Sequence, residues 1–348
     1  MTITDAIKKV VDREDLAAEE AEAVLEQIMT GQCTDAQIAS LLTALRMKGE
    51  TVDELTGFAR VMRRKAAPIH PHMKVSAEIA GTEREALIDT CGTGGDVSGS
   101  FNVSTATAFV VAGAGVRVAK HGNRSVSSQC GSADVVEALG VKIELTPKRI
   151  AQCIDEVGIG FLHAPLLHGA MKYVALARKQ MGIRTIFNVL GPLTNPAGAN
   201  TQVIGVYDEC LTEKLARVLH ELGSTRALVV HGSDGLDEIT ITGRSKVTEL
   251  HGGELIHYTV EPEDFGLKRS TLAEIQGGDA SRNSAIILEV LRGAPGPKRD
   301  IVLLNAAAAL VASSRASDLS QGIGLASQSI DSGTALKKLE QLIEFTNQ

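Results

Sequence analysis

Apolar residues in the first 67 positions recur at helical spacing. Ile38, Leu41, Leu42 and Leu45 form one stripe, and Leu55, Phe58, Ala59 and Met62 form another. Two capping boxes, Thr34-Asp35-Ala36-Gln37 and Thr51-Val52-Asp53-Glu54, mark helix starts at which a hydroxyl and a Glu or Gln side chain satisfy first-turn amides reciprocally. Gly31 and Gly49 fall where helix C-termini favour a left-handed residue. The pattern predicts four short helices with little room for a private core. They need a partner surface, in the rest of the chain or in another subunit. Pro68-Ile69-His70-Pro71 then breaks helical continuity, dividing a helical domain at 1–67 from a second domain at 68–348.

From about residue 87 the period changes. Residues 87–90 are a short apolar run before glycines, 104–115 read as a helix, 116–120 as a strand and 134–140 as a helix. Strands are expected at 201–207 and 227–231, with an amphipathic helix at 211–222 between them. Strands alternating with helices imply right-handed βαβ units, so the fold class is α/β with a mainly parallel central sheet flanked by helices. Residues 240–261 have the alternating, β-branched pattern of a peripheral hairpin, and 299–313 and 333–346 read as closing helices. Helical content near 165–182 interrupts the sheet pattern and is expected to join the N-terminal helices.

Composition narrows the class. With 348 residues, 44% of them hydrophobic, the chain can bury a large core, and 34 glycines with only 3% aromatics suit many tight turns. A net charge of −7 argues against nonspecific binding to nucleic acid or an anionic membrane, which needs a basic surface. Cys33, Cys91, Cys130, Cys153 and Cys210 are scattered without a C-x-x-C pair, which speaks against structural zinc and fits reduced thiols in a cytoplasm. No signal-peptide h-region appears near the N-terminus, and apolar stretches such as 106–118 are shorter than a bilayer span. A soluble, cytoplasmic protein is expected.

Three segments carry candidate chemistry. Asp89-Thr90-Cys91-Gly92-Thr93-Gly94-Gly95-Asp96 follows a strand and precedes a helix, where glycines let successive amides turn toward an anion. It is neither a Walker A loop nor G-x-G-x-x-G, and by itself it fits an ordinary βα turn equally well. Asn102, Ser104 and Thr105 open the next helix, either as ordinary N-capping residues or as contacts to phosphate and a metal ion. The run 120–128 packs Lys120, His121, Arg124 and three serines into nine residues, a donor density that favours anion binding. Asp237 and Glu238 lie just beyond the predicted strand 227–231, where α/β folds place ligands. Beside two anion loops these carboxylates would repel the substrate, and bridging Mg²⁺ reconciles them.

Taken together, GTGGD at 92–96, FNVST at 101–105, KHGNRSVSS at 120–128, RTIFNVLGPLTNP at 184–196 and GLDE at 235–238 resemble the anthranilate phosphoribosyltransferases over most of the chain. The resemblance implies a small helical domain and a larger α/β domain with the active site in the cleft between them, and a homodimer formed through the helical domain. It implies that 5-phosphoribosyl 1-diphosphate is held by Gly92, Gly95, Asp96, Ser100, Asn102, Val103, Ser104, Thr105, Lys120, His121, Gly122, Asn123, Arg124, Ser125, Val126, Ser127, Ser128 and Ser132. Two Mg²⁺ per subunit would be bound through Ser104, Asp237 and Glu238, and Lys120, Asp237 and Glu238 would serve catalysis. Anthranilate would meet Gly92, His121, Asn123, His168, Arg178 and Pro192, with Arg178 facing its carboxylate. The chain departs from the family at Gly169, where relatives usually have Pro after the His, and in Val174-Ala175-Leu176-Ala177-Arg178, which lacks the Pro that often precedes that Arg. Both bear on loop stiffness beside the aryl pocket.

Rival activities are a pyrimidine nucleoside phosphorylase, a silent relative that binds nucleic acid, and a transferase for another aryl amine. Asp237-Glu238 and the asparagine-arginine loop speak against the first, and the acidic composition against the second. The third stays open at this stage.

Overall fold

The computed structural model describes residues 1–72, 85–96, 98–125 and 129–348. Its centre is a seven-stranded sheet in the order β3-β2-β1-β4-β5-β6-β7. The strands are β1 Leu87–Gly92, β2 Arg117–Gly122, β3 Ile159–His163, β4 Thr201–Gly205, β5 Arg226–Gly232, β6 Ser245–His251 and β7 Glu254–Val260. β1 to β5 run parallel, whereas β6 and β7 add an antiparallel hairpin beside β5. β3 was not apparent from the pattern. It is buried at all five positions, so no polar alternation marks it.

The two faces of β4 and β5 feed different cores. Val203, Leu228 and Val230 point into a core built with α5 (Val103–Gly113) and the C-terminal helices, including Pro297–Ala312 and Thr334–Asn347. Ile204, Ala227 and Val229 point into the other core. That core also contains the N-terminal helices α1 Ile3–Val11, α2 Ala18–Met29, α3 Asp35–Lys48 and α4 Val52–Lys65. The partner surface those helices needed thus lies within the chain. The helices Lys172–Met181 and Leu211–Glu221 supply Val174, Ala177, Leu215 and Leu219 to it.

Local signals act as expected in the bundle. At α4 the Glu54 amide donates to Thr51 Oγ1 at 3.2 Å, and the Thr51 amide donates to Glu54 Oε2 at 2.9 Å. A cap of this type contributes about 1 kcal/mol. Arg63, on the last turn of α4, donates to the carbonyls of Leu193 at 2.7 Å and Leu222 at 3.2 Å. Burial holds its pKa below the usual guanidinium value. The bundle is thereby tied to the 191–193 turn and to the end of the helix Leu211–Glu221.

Strand order reverses between β1 and β4, with connections leaving in opposite directions. In a parallel sheet this switch point opens a crevice at the strands' carboxyl ends, and ligands bind there.

Candidate functional site

Gly92 and Gly205 are paired neighbours at the ends of β1 and β4, directly at the switch point. Asp237 lies across both. A Cβ on Gly92 would come within 2.2 Å of Asp237 Oδ2, and one on Gly205 within 1.5 Å of the Asp237 carbonyl oxygen. Glycine is required at both positions for lack of space, a reason distinct from the turn chemistry expected of Gly92. The loop beyond then bends through Gly94 and Gly95, with φ of +68° and +76°. Its Thr93 amide donates to the Gly205 carbonyl at 2.9 Å, and its Gly94 amide donates to Asp237 Oδ2 at 2.7 Å.

Glu238 reaches the other anion-binding element. The Ser104 amide, in the first turn of α5, donates to Glu238 Oε1 at 3.0 Å. Both carboxylates therefore rest on amides suited to anions, one on the glycine loop and one on a helix N-terminus. Surrounding protein raises the Asp237 pKa to about 6, with repulsion from Asp96 adding to it. Glu238 is pushed well above the usual carboxylate range, by desolvation and then by Asp237. Two crowded carboxylates with raised pKa call for a cation. Among the described residues no three His, Cys, Asp or Glu side chains form a ready-made metal cage. An oxygen-only pair facing amides suits Mg²⁺, which takes one or two carboxylates and completes its shell with substrate phosphates and water.

Lys120 lies within β2, and its side chain is 3% exposed. Its ammonium donates to the Thr90 carbonyl at 2.6 Å and to Ser104 Oγ at 3.3 Å, beneath the start of α5. Burial lowers its pKa, while Asp89 and the other nearby anions act to raise it. Asp89, fully buried in β1, accepts from the His121 amide at 3.1 Å and from Asn195 Nδ2 at 2.8 Å. Asp89 and Asn195 were not singled out from the sequence. The signal was there for Asp89, a carboxylate inside an apolar strand run; Asn195 looked like any loop amide.

At the start of α5 the capping alternative for Asn102 fails, since its side chain makes no cap bond. Its Nδ2 donates to the Cys130 carbonyl at 3.2 Å, and its Oδ1 accepts from Asn283 Nδ2 at 2.9 Å. Asn283, remote in sequence, thus sets the amide's orientation. Thr105 Oγ1 is buried, with no hydrogen-bond partner among the described residues. Val103 is 1% exposed and packed in the core, so only its backbone is available for binding. Ser98 Oγ donates to Asp96 and accepts from the Ser100 amide at 3.2 Å, which draws these three into one turn.

The loop after β2 is arranged differently. Arg124 does not face the glycine loop: it pairs with Asp134 at 3.0 Å and Glu137 at 2.5 Å on the helix Ser132–Ala138. In this structure the Arg124 guanidinium is engaged by carboxylates of the helix that follows its loop. Asp134 Oδ2 also accepts from the amides of Ser125 at 3.1 Å and Gly131 at 2.8 Å. The Asn123 amide donates to Ser132 Oγ at 3.2 Å, and a Cβ on Gly122 would come within 2.3 Å of that same oxygen. Val126, Ser127 and Ser128 lie outside the described residues.

Of the residues expected on the aryl side, two histidines meet. His121 and His168 are buried, with Nε2 atoms 3.2 Å apart. Burial lowers their pKa values to about 3 and about 4, so both are neutral at pH 7. Pro192, on the turn that Arg63 holds, accepts from Gln202 Nε2 at 2.6 Å. Arg178 stacks over Phe187 at 5.4 Å, with no carboxylate partner among the described residues. Burial lowers its pKa below the usual guanidinium value.

Comparison with known proteins accords with this geometry. The helical bundle domain of the glycosyl transferase family matches residues 4–66, and the a/b domain of that family matches residues 84–336. The anthranilate phosphoribosyltransferase of Moorella thermoacetica is 58% identical over 97% of both chains. The crystal structure of the enzyme from Thermus thermophilus is 42% identical, with a TM-score of 0.91 over 99% of this chain and 100% of that one. The enzyme from Saccharomyces cerevisiae in complex with PRPP and Mg is 28% identical, with a TM-score of 0.87 over 99% of this chain and 98% of that one. The chain belongs to the anthranilate phosphoribosyltransferases, enzymes of the glycosyl transferase family.

Proposed function

We propose that the protein transfers the phosphoribosyl group of 5-phosphoribosyl 1-diphosphate to the amine of anthranilate. The products are N-(5-phosphoribosyl)anthranilate and diphosphate, and the step belongs to L-tryptophan biosynthesis. The observation that carries this is the meeting of Asp237 and Glu238 with the glycine loop and the α5 N-terminus at the switch point. The yeast relative in complex with PRPP and Mg supports the donor and the metal.

Asp237 and Glu238, with Ser104, would hold two Mg²⁺ per subunit. When bound, the metal neutralises diphosphate oxygens and stabilises the charge that grows as the leaving group departs. Each carboxylate accepts an amide at one oxygen, Asp237 from Gly94 and Glu238 from Ser104, and would keep its other oxygen available to the metal. Asn102 and Thr105 would contact the donor at the helix start, while Gly122, Asn123, Ser125 and Ser132 would shape the second wall. Lys120 supplies a fixed positive charge beneath α5, an electrostatic contribution already in place before the reaction.

On the acceptor side Arg178 would fork the anthranilate carboxylate, and His121, His168, Asn123 and Pro192 would frame the ring. The aryl amine is neutral at pH 7 and attacks the anomeric carbon without prior deprotonation. Holding both reactants at attack distance supplies much of the acceleration.

We also place the protein in the cytoplasm as a homodimer formed through its helical domain, 1–67 with the helices near 165–182. Val11 and Met47 are 62% and 72% exposed on adjoining helices, beside a concavity of about 450 Å³ between α1 and α3. This apolar face suits a second copy of the chain. No helix among the described residues is long and apolar enough to cross a membrane.

The test is direct. Anthranilate, 5-phosphoribosyl 1-diphosphate and Mg²⁺ are mixed with the protein, and loss of anthranilate fluorescence is followed against a low background, because the chain has no Trp. Loss that depends on both donor and metal is expected. No change under any condition would overturn the assignment.

A further inference from the structure

The segment 184–196 enters the site at its first residue. Arg184 lies over the Tyr207 ring, 4.3 Å from its centroid, and donates from Nη2 to the Gly95 carbonyl. The Tyr207 amide in turn donates to Thr93 Oγ1 at 3.2 Å. A Cβ on Gly95 would sit 3.1 Å from Arg184 Nη2, so the guanidinium rests directly against the loop backbone. Among the described residues no carboxylate forms an ion pair with Arg184, which leaves Tyr207 and the Gly95 carbonyl as its partners.

A trans peptide is planar, with its carbonyl and the following amide pointing in opposite directions. A Gly95 carbonyl pinned to Arg184 therefore turns the Asp96 amide away from Arg184. That amide has no hydrogen-bond partner among the described residues. The neighbouring Gly94 amide is directed at Asp237, the candidate metal ligand. The loop is thus gripped from two sides, by Asp237 at the 93–94 peptide and by Arg184 at the 95–96 peptide.

We propose that Arg184 is a positioning residue for the glycine loop, fixing the 95–96 peptide so that its N–H meets the diphosphate of the donor, with Tyr207 as the platform that holds the guanidinium. The inference rests on the phosphoribosyl-transfer assignment above and adds a residue to it.

The experiment compares wild type with Arg184→Met, Arg184→Lys and Tyr207→Leu. In Arg184→Met the KM for 5-phosphoribosyl 1-diphosphate should rise about tenfold or more, as expected for loss of a charged hydrogen bond that orders a binding loop. The KM for anthranilate and the melting temperature of the free protein should stay near wild type. Arg184→Lys should recover part of the loss, because an ammonium still reaches the carbonyl but cannot stack as guanidinium does. Tyr207→Leu should fall between. Calorimetric titration with inorganic diphosphate and Mg²⁺ should show the same order. An unchanged donor KM in Arg184→Met, or equal loss for both substrates, would overturn the inference. Absence of turnover in wild type would instead overturn the assigned reaction, and the diphosphate titration would still decide the role of Arg184.

Discussion

The two loops that face the switch point are held by opposite means. The second, after β2, is secured locally: Arg124, Ser125 and Gly131 all engage Asp134, which lies within ten residues of each. The first, after β1, is secured from far along the chain, by Asp237, Arg184 and Gly205. Residue chemistry favours the second loop, which is dense in donors, over the first, which is mostly glycine. The geometry reverses that ranking. Arg124 of the second loop is spent on the helix that follows it, while the bare glycine loop sits against Asp237. Donor density measures what a segment can bind; position in the topology decides what it meets.

Replacing both Asp237 and Glu238 with Ala should have the largest effect. Removal of the proposed metal ligands should lower kcat/KM by about 10³-fold or more. Near-wild-type turnover would break the comparison at its root. Gly92→Ala comes next. Its methyl group would displace Asp237, and a misplacement of about 1 Å should cost roughly 10²-fold in kcat/KM, with the fold retained by circular dichroism. Activity within a fewfold of wild type would show that Asp237 can take another position without cost.

A smaller and graded effect is expected from pH. The Asp237 pKa is raised to about 6, so the neutral acid persists up to that pH and the metal-ready carboxylate forms above it. kcat/KM for the donor should fall as pH drops through about 6, and high Mg²⁺ should move the inflection lower by favouring the ionised form. A profile indifferent to Mg²⁺ would detach this carboxylate from the metal. The smallest effect is expected from Arg124→Ala. An exposed ion pair contributes about 0–1 kcal/mol, so the donor KM should change less than about fivefold. A larger rise would show that the guanidinium leaves Asp134 for phosphate in the complex, restoring the ranking by donor density.

What the sequence disclosed was what depends on near neighbours. The capping boxes at Thr34 and Thr51, the βα turn at Gly92 and the hairpin before Val260 all follow from residues a few positions apart. β3 escaped because a strand buried on both faces lacks alternation. Arg184, Asn195 and Asn283 escaped because the hydrogen-bond partners described above lie 89 to 181 positions away, and no local pattern distinguishes them. The family resemblance supplied the candidate roles, whereas the geometry supplied the reason for Gly92 and the diversion of Arg124.

The bond from Gly94 to Asp237 spans 143 positions. A ribosome that has made the glycine loop must add most of the sheet before that loop acquires its partner. Contacts of such long separation form late in folding, because the intervening chain must be ordered first. The glycine loop therefore matures only after β4 and β5 have docked. On refolding from denaturant, helical content should return before the ability to bind diphosphate.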